Sequence, residues 1–475
     1  MNGLWLSASS GNRFPTPFLG RLYFGPARLV RQYAERQLVS YRLDLVPSQT
    51  ANYQIRLDDL ASALPNAVFP DSVEGGTMEP ALAAWTRLKR VALVGNYLPR
   101  RCGIATFTTD LSESLATLAP NVEFWAAAMN DRPEGYPYPP RVKFEISANR
   151  PSDYRLAADF LNLGNSDVVC LQHEYGIFGG PDGRLILDLL VRLRMPVIVT
   201  LHTVLKEPSQ GQRDIVREMA EVADRLVVMS QLGTEFLREI YGVPEAKVSL
   251  IPHGIHDVAF VDPNYYKDVF SVQGKNVLLS FGLLSPGKGI EAMIDAMPEI
   301  VARYPNTVYI VLGATHPSVK LERGEDYRHS LQRRANERGI VDHVIFHNKF
   351  VELQELMEFL GAADVYITPY LNEAQITSGT LAYALGSGKA AVSTPYWYAR
   401  EMLADDRGKL VPFADSKALS DAVLELLENE TQRHAIRKRA YTYTRSMRWS
   451  EVAAGYLDLF VRVQQERSSN PRPVT

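Results

Sequence analysis

Four small polar residues, Thr377, Ser378, Gly379 and Thr380, stand between an apolar run, Val365–Tyr370, and a small-residue segment, Leu381–Gly386. A second apolar run, Ala390–Val392, follows. The order reads strand, loop, helix, strand. In a parallel sheet it aims the free backbone N–H groups of Thr377–Thr380 outward, where they can hold phosphate. Such a turn also occurs for packing alone, so other residues have to bear on the choice. Lys288 does, in Phe281-Gly282-Leu283-Leu284-Ser285-Pro286-Gly287-Lys288-Gly289, which leaves another apolar run and opens a helix. Glycine here permits close backbone approach, and a lysine near a helix start can neutralise a diphosphate; a solvated lysine in a tight turn is the plain alternative. The spacing is neither that of a P-loop nor GxGxxG, which argues against triphosphate hydrolysis and dinucleotide binding.

Three further stretches carry reactive side chains. Gln172-His173-Glu174-Tyr175 leaves the run Val168–Leu171 and enters a glycine-rich turn, Gly176–Gly180. His173 and Glu174 are candidate general bases, since burial can tune either toward neutral pH. His202 ends the run Val197–Leu201, and His253 follows Val248–Ile251 and reads as a hydrogen-bonded structural residue. No histidine pair has i, i+4 ligand spacing and there is no Cys/His array, so no metal is expected. Asn96–Ile104 leads from Val91–Gly95 into a helix, where Arg100 and Gly103 could meet an anionic group.

The elements that must position these residues recur along the chain. From Arg90, apolar runs (Val91–Gly95, Val122–Met129, Val142–Ile146, Val168–Leu171, Val197–Leu201, Leu226–Met229, Val248–Ile251) alternate with amphipathic stretches such as Ala105–Leu118, Tyr154–Leu163, Arg184–Arg194, Asp214–Ala223 and Gly233–Ile240. After a connection at Asp257–Lys275 the alternation resumes with Val277–Phe281, Val308–Leu312, Val344–Phe346, Val365–Thr368, Ala390–Ser393 and Lys409–Val411. The expected fold is α/β: two Rossmann-like doubly wound domains, residues 81–260 and 276–445, facing an interdomain cleft. A terminal helix and tail (446–475) is expected to open at Trp449, with Ser450 as its cap. Residues 1–80 read as an N-terminal extension with one helical segment, Ala27–Val39.

Composition narrows the function. The 475 residues are 46% hydrophobic and 22% charged with a formal net charge of -3, so a global basic field for nucleic acid or anionic lipid is excluded. The two cysteines, Cys102 and Cys170, are too few for a disulfide framework. With no signal-peptide pattern and no long apolar run, a cytoplasmic protein is expected.

The order of the IATF helix start, LQHEYGIFGG, VTLHT, LIPHGI, FGLLSPGKG and SGTLAYALGSGK, then a tryptophan-led terminal helix, resembles the GT-B-fold glycosyltransferases of family 4 over roughly Arg90–Gln465. The resemblance implies metal-independent transfer of a hexose from a nucleotide diphosphate sugar, GDP-mannose or a UDP-hexose, to a sugar or glycoside acceptor, with no cofactor. It places Gly282, Lys288 and Thr377–Thr380 with the donor phosphates, His202 near the donor sugar, and Gly103 with the acceptor; Arg100 and Tyr175 are grouped with Gly103. It also exposes departures. Leu283 stands where the family usually has arginine, and Gln375 and Tyr383 stand where it usually has two glutamates, with Glu373 out of register. Gln375 can still hydrogen-bond hydroxyls, and Tyr383 can stack or donate. A nucleotide sugar epimerase, a sugar phosphorylase and a non-catalytic sugar-binding scaffold are the alternatives; stereochemical outcome and self-association stay open.

Overall fold

Neighbouring residues of the first strand are buried in different cores, Val91 and Leu93 in one, Ala92 and Val94 in the other. A strand covered on both faces needs apolar side chains at every position, which is why these runs are continuous and not alternating. The computed structural model describes residues 84–469; the expected extension and its segment Ala27–Val39 lie outside them.

Seven strands, β1 (Arg90–Gly95), β2 (Glu123–Asn130), β3 (Val142–Ser147), β4 (Val168–His173), β5 (Val197–Leu201), β6 (Arg225–Val228) and β7 (Val248–Leu250), form a sheet in the order β3-β2-β1-β4-β5-β6-β7. Six more, β8 (Asn276–Phe281), β9 (Thr307–Leu312), β10 (Val344–His347), β11 (Val365–Thr368), β12 (Ala390–Ser393) and β13 (Lys409–Leu410), form a second in the order β10-β9-β8-β11-β12-β13. Every pairing in both sheets is parallel. Strand order reverses beside β1 and β4 in the first sheet and beside β8 and β11 in the second. Those are the switch points outside which open α/β sheets hold their ligands.

The helices that position the site are α1 (Gly103–Leu118), α2 (Leu353–Ala362), α3 (Gly379–Gly386) and α4 (Trp449–Ser469). Two expectations change. The stretch Arg184–Arg194 is helical only over Ile186–Leu190, because Gly180, Asp182 and Gly183 just before it take positive φ and Pro196 closes it. Ser450 is the second residue of α4, not its cap.

The last helix returns to the first sheet. Val452, Tyr456, Leu457, Phe460 and Val463 of α4 pack in the same core as Phe107 and Leu111 of α1. The chain therefore passes between the sheets twice, and the passages run side by side: the Ile255 amide donates to the Met447 carbonyl at 2.8 Å and the Trp449 amide to the Ile255 carbonyl at 2.9 Å. Arg437 adds bonds to the carbonyls of Gly388 and Val261. Trp449, 5% exposed, sits where a Cβ on Gly254 would lie 2.2 Å from its ring. Trp449→Ala should lower the unfolding free energy by about 3–5 kcal/mol, the usual cost of emptying a buried aromatic site; chemical denaturation gives the value.

Candidate active site

A cavity of about 560 Å³ opens where the carboxyl ends of the two sets of strands meet. Each wall is a strand-to-helix loop. From the first sheet come Gly103, Ile104 and Phe107 after β1, Glu174 after β4, and His202 and Thr203 after β5. From the second come Gly282, Leu283 and Lys288 after β8, Gly313 and His316 after β9, Lys349 and Phe350 after β10, and Gln375, Thr377, Gly379 and Thr380 after β11. Tyr383, one turn into α3, and Asp110 of α1 close the back. Gly282 and Gly313 adopt φ of +133° and +148°, and a Cβ on Gly313 would lie 1.9 Å from the Gly282 carbonyl oxygen. The two strand ends approach each other this closely because neither carries a side chain.

The second-domain wall concentrates positive potential. Ser378 caps α3 by accepting from the Leu381 amide, which leaves the first amides of the helix directed at the cavity. Lys288 makes no ion pair among the described residues; its Nζ lies 3.9 Å from the centre of the Tyr370 ring. Burial would raise the Tyr370 phenol, but Lys288 beside it brings it below its ordinary value. That phenol hydrogen-bonds Thr380 Oγ1 at 2.9 Å, linking the lysine to the helix start. The lysine turn is docked by the Leu371 amide, which donates to the Gly287 carbonyl. Gly289 completes the turn at φ +64°, with space for a Cβ only 1.9 Å from the Pro369 oxygen. Thr377 Oγ1 is buried with no hydrogen-bond partner among the described residues.

The histidines of the first-domain wall are uncharged. His202 Nε2 lies 3.0 Å from Gln172 Oε1, and its ring meets Phe107 edge-on at 4.7 Å. Burial first, then neighbouring His253 and His173, pushes the His202 imidazole down to about 3. His253 Nδ1 pairs with the Gly254 carbonyl at 2.7 Å, as its structural reading requires, yet its Nε2 faces Gly379 and it too lines the cavity. Burial takes it to about 4. Both rings therefore stay uncharged at neutral pH and can exchange hydrogen bonds with hydroxyls. Glu174 is committed: Oε1 accepts from the Tyr175 amide at 3.0 Å and Oε2 from Thr203 Oγ1 at 2.5 Å. Burial raises its carboxyl above the ordinary value.

Of the residues expected from sequence, Glu174, His202, Gly103, Gly282, Lys288, Gln375, Thr377, Gly379, Thr380 and Tyr383 all line this cavity. Four do not. His173, expected as a base, is fully buried with both ring nitrogens unpartnered, stacked on Phe178 and edge-on to Tyr175. Tyr175 packs with it behind the wall. Arg100 binds Asn96 Oδ1, the Met129 carbonyl and Asp131 instead of a ligand. Ser378 is spent on the cap. Glu373 pairs with Arg400 at 2.6 Å, outside the lining. Asp110, His316, Lys349 and Phe350 were not anticipated; the last three follow β9 and β10, and strand ends at this edge were the available signal.

Residues 102–258 match the family described as Glycosyltransferase Family 4, and residues 262–443 match Glycosyl transferases group 1. The chain belongs to the GT-B glycosyltransferases of family 4. Among its relatives is a phosphatidyl-myo-inositol mannosyltransferase of Mycolicibacterium smegmatis, 26% identical over 56% of this chain and 65% of that protein. A D-inositol 3-phosphate glycosyltransferase of a Nocardioides species is 25% identical over 64% and 69%. The fold is shared with sucrose-phosphate synthase from Thermosynechococcus elongatus (TM-score 0.64, 17% identity, 80% of this chain and 100% of that one). It is also shared with HepE of Anabaena, solved in complex with UDP (TM-score 0.60, 16% identity, 80% and 99%). In this glycosyltransferase Leu283 lines the cavity beside Lys288.

Burial holds the His173 imidazole down at about 3, while in the unfolded chain it titrates near 6.5. Between those values the unfolded chain binds the proton and the folded protein does not, so stability falls as pH drops below about 6.5. Acidification from pH 7 to pH 5 should cost about 2 kcal/mol through His173. Urea unfolding at both values should show that the loss shrinks by this amount in His173→Phe.

Proposed function

We propose that this glycosyltransferase moves a hexose from a nucleotide diphosphate sugar onto the hydroxyl of a sugar, glycoside or related polyol. The observation that supports this most directly is the pairing, across one cavity, of Lys288 and the α3 start on one wall with neutral His202 and His253 on the other. A sugar–phosphate bond that breaks here deposits negative charge on the diphosphate. A fixed cation and a helix N-terminus stabilise that charge, and the stabilisation grows as the bond stretches. This supports transfer without a metal. The neutral imidazoles suit hydroxyl-bearing groups, and Gly103, beside which nothing lies within 4 Å of a built Cβ, leaves room for an acceptor at the α1 start.

The names of the relatives favour a mannosyl or related hexosyl donor and bring inositol-type acceptors within this reading. HepE, solved with UDP-glucose, keeps UDP-hexoses beside GDP-mannose. The test is a thermal-shift panel of GDP- and UDP-sugars, repeated with Lys288→Ala and followed by turnover of the hits with and without acceptors. One donor should raise the melting temperature. Lys288→Ala should lose about 2–4 kcal/mol of transition-state stabilisation, roughly 30- to 1,000-fold in kcat/KM. A near wild-type rate would remove Lys288 from the role, and turnover without any acceptor would favour an epimerase.

A further inference from the structure

Three segments converge on one carboxylate at the back of the cavity. Asp110 of α1 receives the Tyr383 hydroxyl of α3 at 2.9 Å and pairs with His256 Nε2 of the connector at 3.2 Å, and both contacts fall on Oδ2. Oδ1 takes no bond from any described residue. The side chain is 16% exposed, and Asp110 is part of the cavity wall. We propose that Asp110 is a substrate-binding residue whose Oδ1 accepts hydroxyls of the sugar nucleotide, so that the first domain supplies the carboxylate contact while Tyr383 of the second holds it in place. The inference rests on the donor reading above.

The chemistry narrows the ligand group. A carboxylate only accepts hydrogen bonds, so its partner must be a donor. Three carboxylates line the cavity: Asp110, Glu174 and Glu352. Both oxygens of Glu174 are used by Thr203 and the Tyr175 amide, and Glu352 is exposed ahead of α2. Asp110 is the interior carboxylate with an open oxygen. A ligand that also satisfies Lys288 is itself anionic, and the neutral donors of its sugar moieties are hydroxyls. Two sugars of a nucleotide sugar carry them, the ribose and the hexose. The geometry suits either, because two bonds on Oδ2 hold the carboxylate and leave the lone pairs of Oδ1 to accept. Phe107, Trp449 and His253 pack around the same point, with Phe107 edge-on to His253 at 5.2 Å and to Trp449 at 5.1 Å. This limits water at the contact and strengthens a bond to the charged oxygen.

The experiment measures, by calorimetry, the affinities of UDP, GDP, their 2′-deoxy counterparts, UDP-glucose and GDP-mannose for the wild-type chain, Asp110→Asn, Asp110→Ala and Tyr383→Phe. Loss of a bond to a charged acceptor should weaken the preferred ligand at least about tenfold in both Asp110 variants. If ribose is held, the loss appears with the nucleoside diphosphate and is absent with its 2′-deoxy form, which already binds weakly to wild type. If the hexose is held, the loss appears only with the intact sugar nucleotide. Tyr383→Phe, which keeps the carboxylate but frees its rotation, should show a smaller loss of the same pattern. A structural role would weaken all ligands alike, and that result, or wild-type affinity in Asp110→Asn and Asp110→Ala, overturns the inference while leaving the donor reading intact. If wild type binds none of the six, the donor reading falls and this inference falls with it.

Discussion

Parallel strands end on the same edge, and this constraint governs where everything else is. In each sheet the carboxyl ends of the strands release loops that turn back into helices. The free amides and polar side chains of those loops are therefore delivered to one rim. Two such sheets, joined by paired crossings at Ile255 and Arg448, put eight loops around one cavity. No loop needs a special sequence to arrive there. It needs glycine where two strand ends would otherwise collide, as at Gly282 and Gly313, and a cap such as Ser378 where a helix must start close to the rim.

The same constraint explains what could be read from the chain and what could not. All thirteen strands were legible, the central ones because burial on both faces demands uninterrupted apolar runs, the half-exposed β3, β7 and β13 from their place in the alternation with helices. Helices were legible to within a few residues, except where φ-positive residues cut one short at Asp182 and Gly183. Of the residues beyond strand ends, Lys288, His202, Gly282, Thr377, Gly379 and Thr380 stand on the cavity wall, and Ser378 does not. His173 and Glu174 mark the limit. Adjacent residues at a strand end point to opposite sides, so one of the two had to face the core, and sequence offered no way to say which. Arg100 fails for a different reason, since its partner Asp131 comes from the end of another strand. Asp110 was invisible because a polar residue in mid-helix reads as a solvated face until α3 and the connector are laid against it.

Lys288 is the cation that follows β8 in the cavity wall, and a lysine on a flexible stem spends rotamer entropy to be useful. Tyr370 offsets part of that by holding the ammonium over its ring, and its hydroxyl passes the constraint to Thr380 at the start of α3. The lysine and the helix terminus thus act as one unit, which suits a leaving group whose charge is spread over two phosphates.

The carboxylates follow a similar logic at the level of whole domains. A glutamate on α3 would serve a ligand from the second domain alone, whatever the first domain did. Tyr383 spends its one donor on Asp110 and is left only an acceptor for a ligand. The carboxylate at this point therefore belongs to α1, and its geometry is set by α3 and by His256 in the connector. Its oxygen is correctly aimed only when the two sheets stand as they do here. A ligand that bonds to it would be read by both domains at once, so its recognition and the relative position of the sheets would become one equilibrium, coupled through a single side chain.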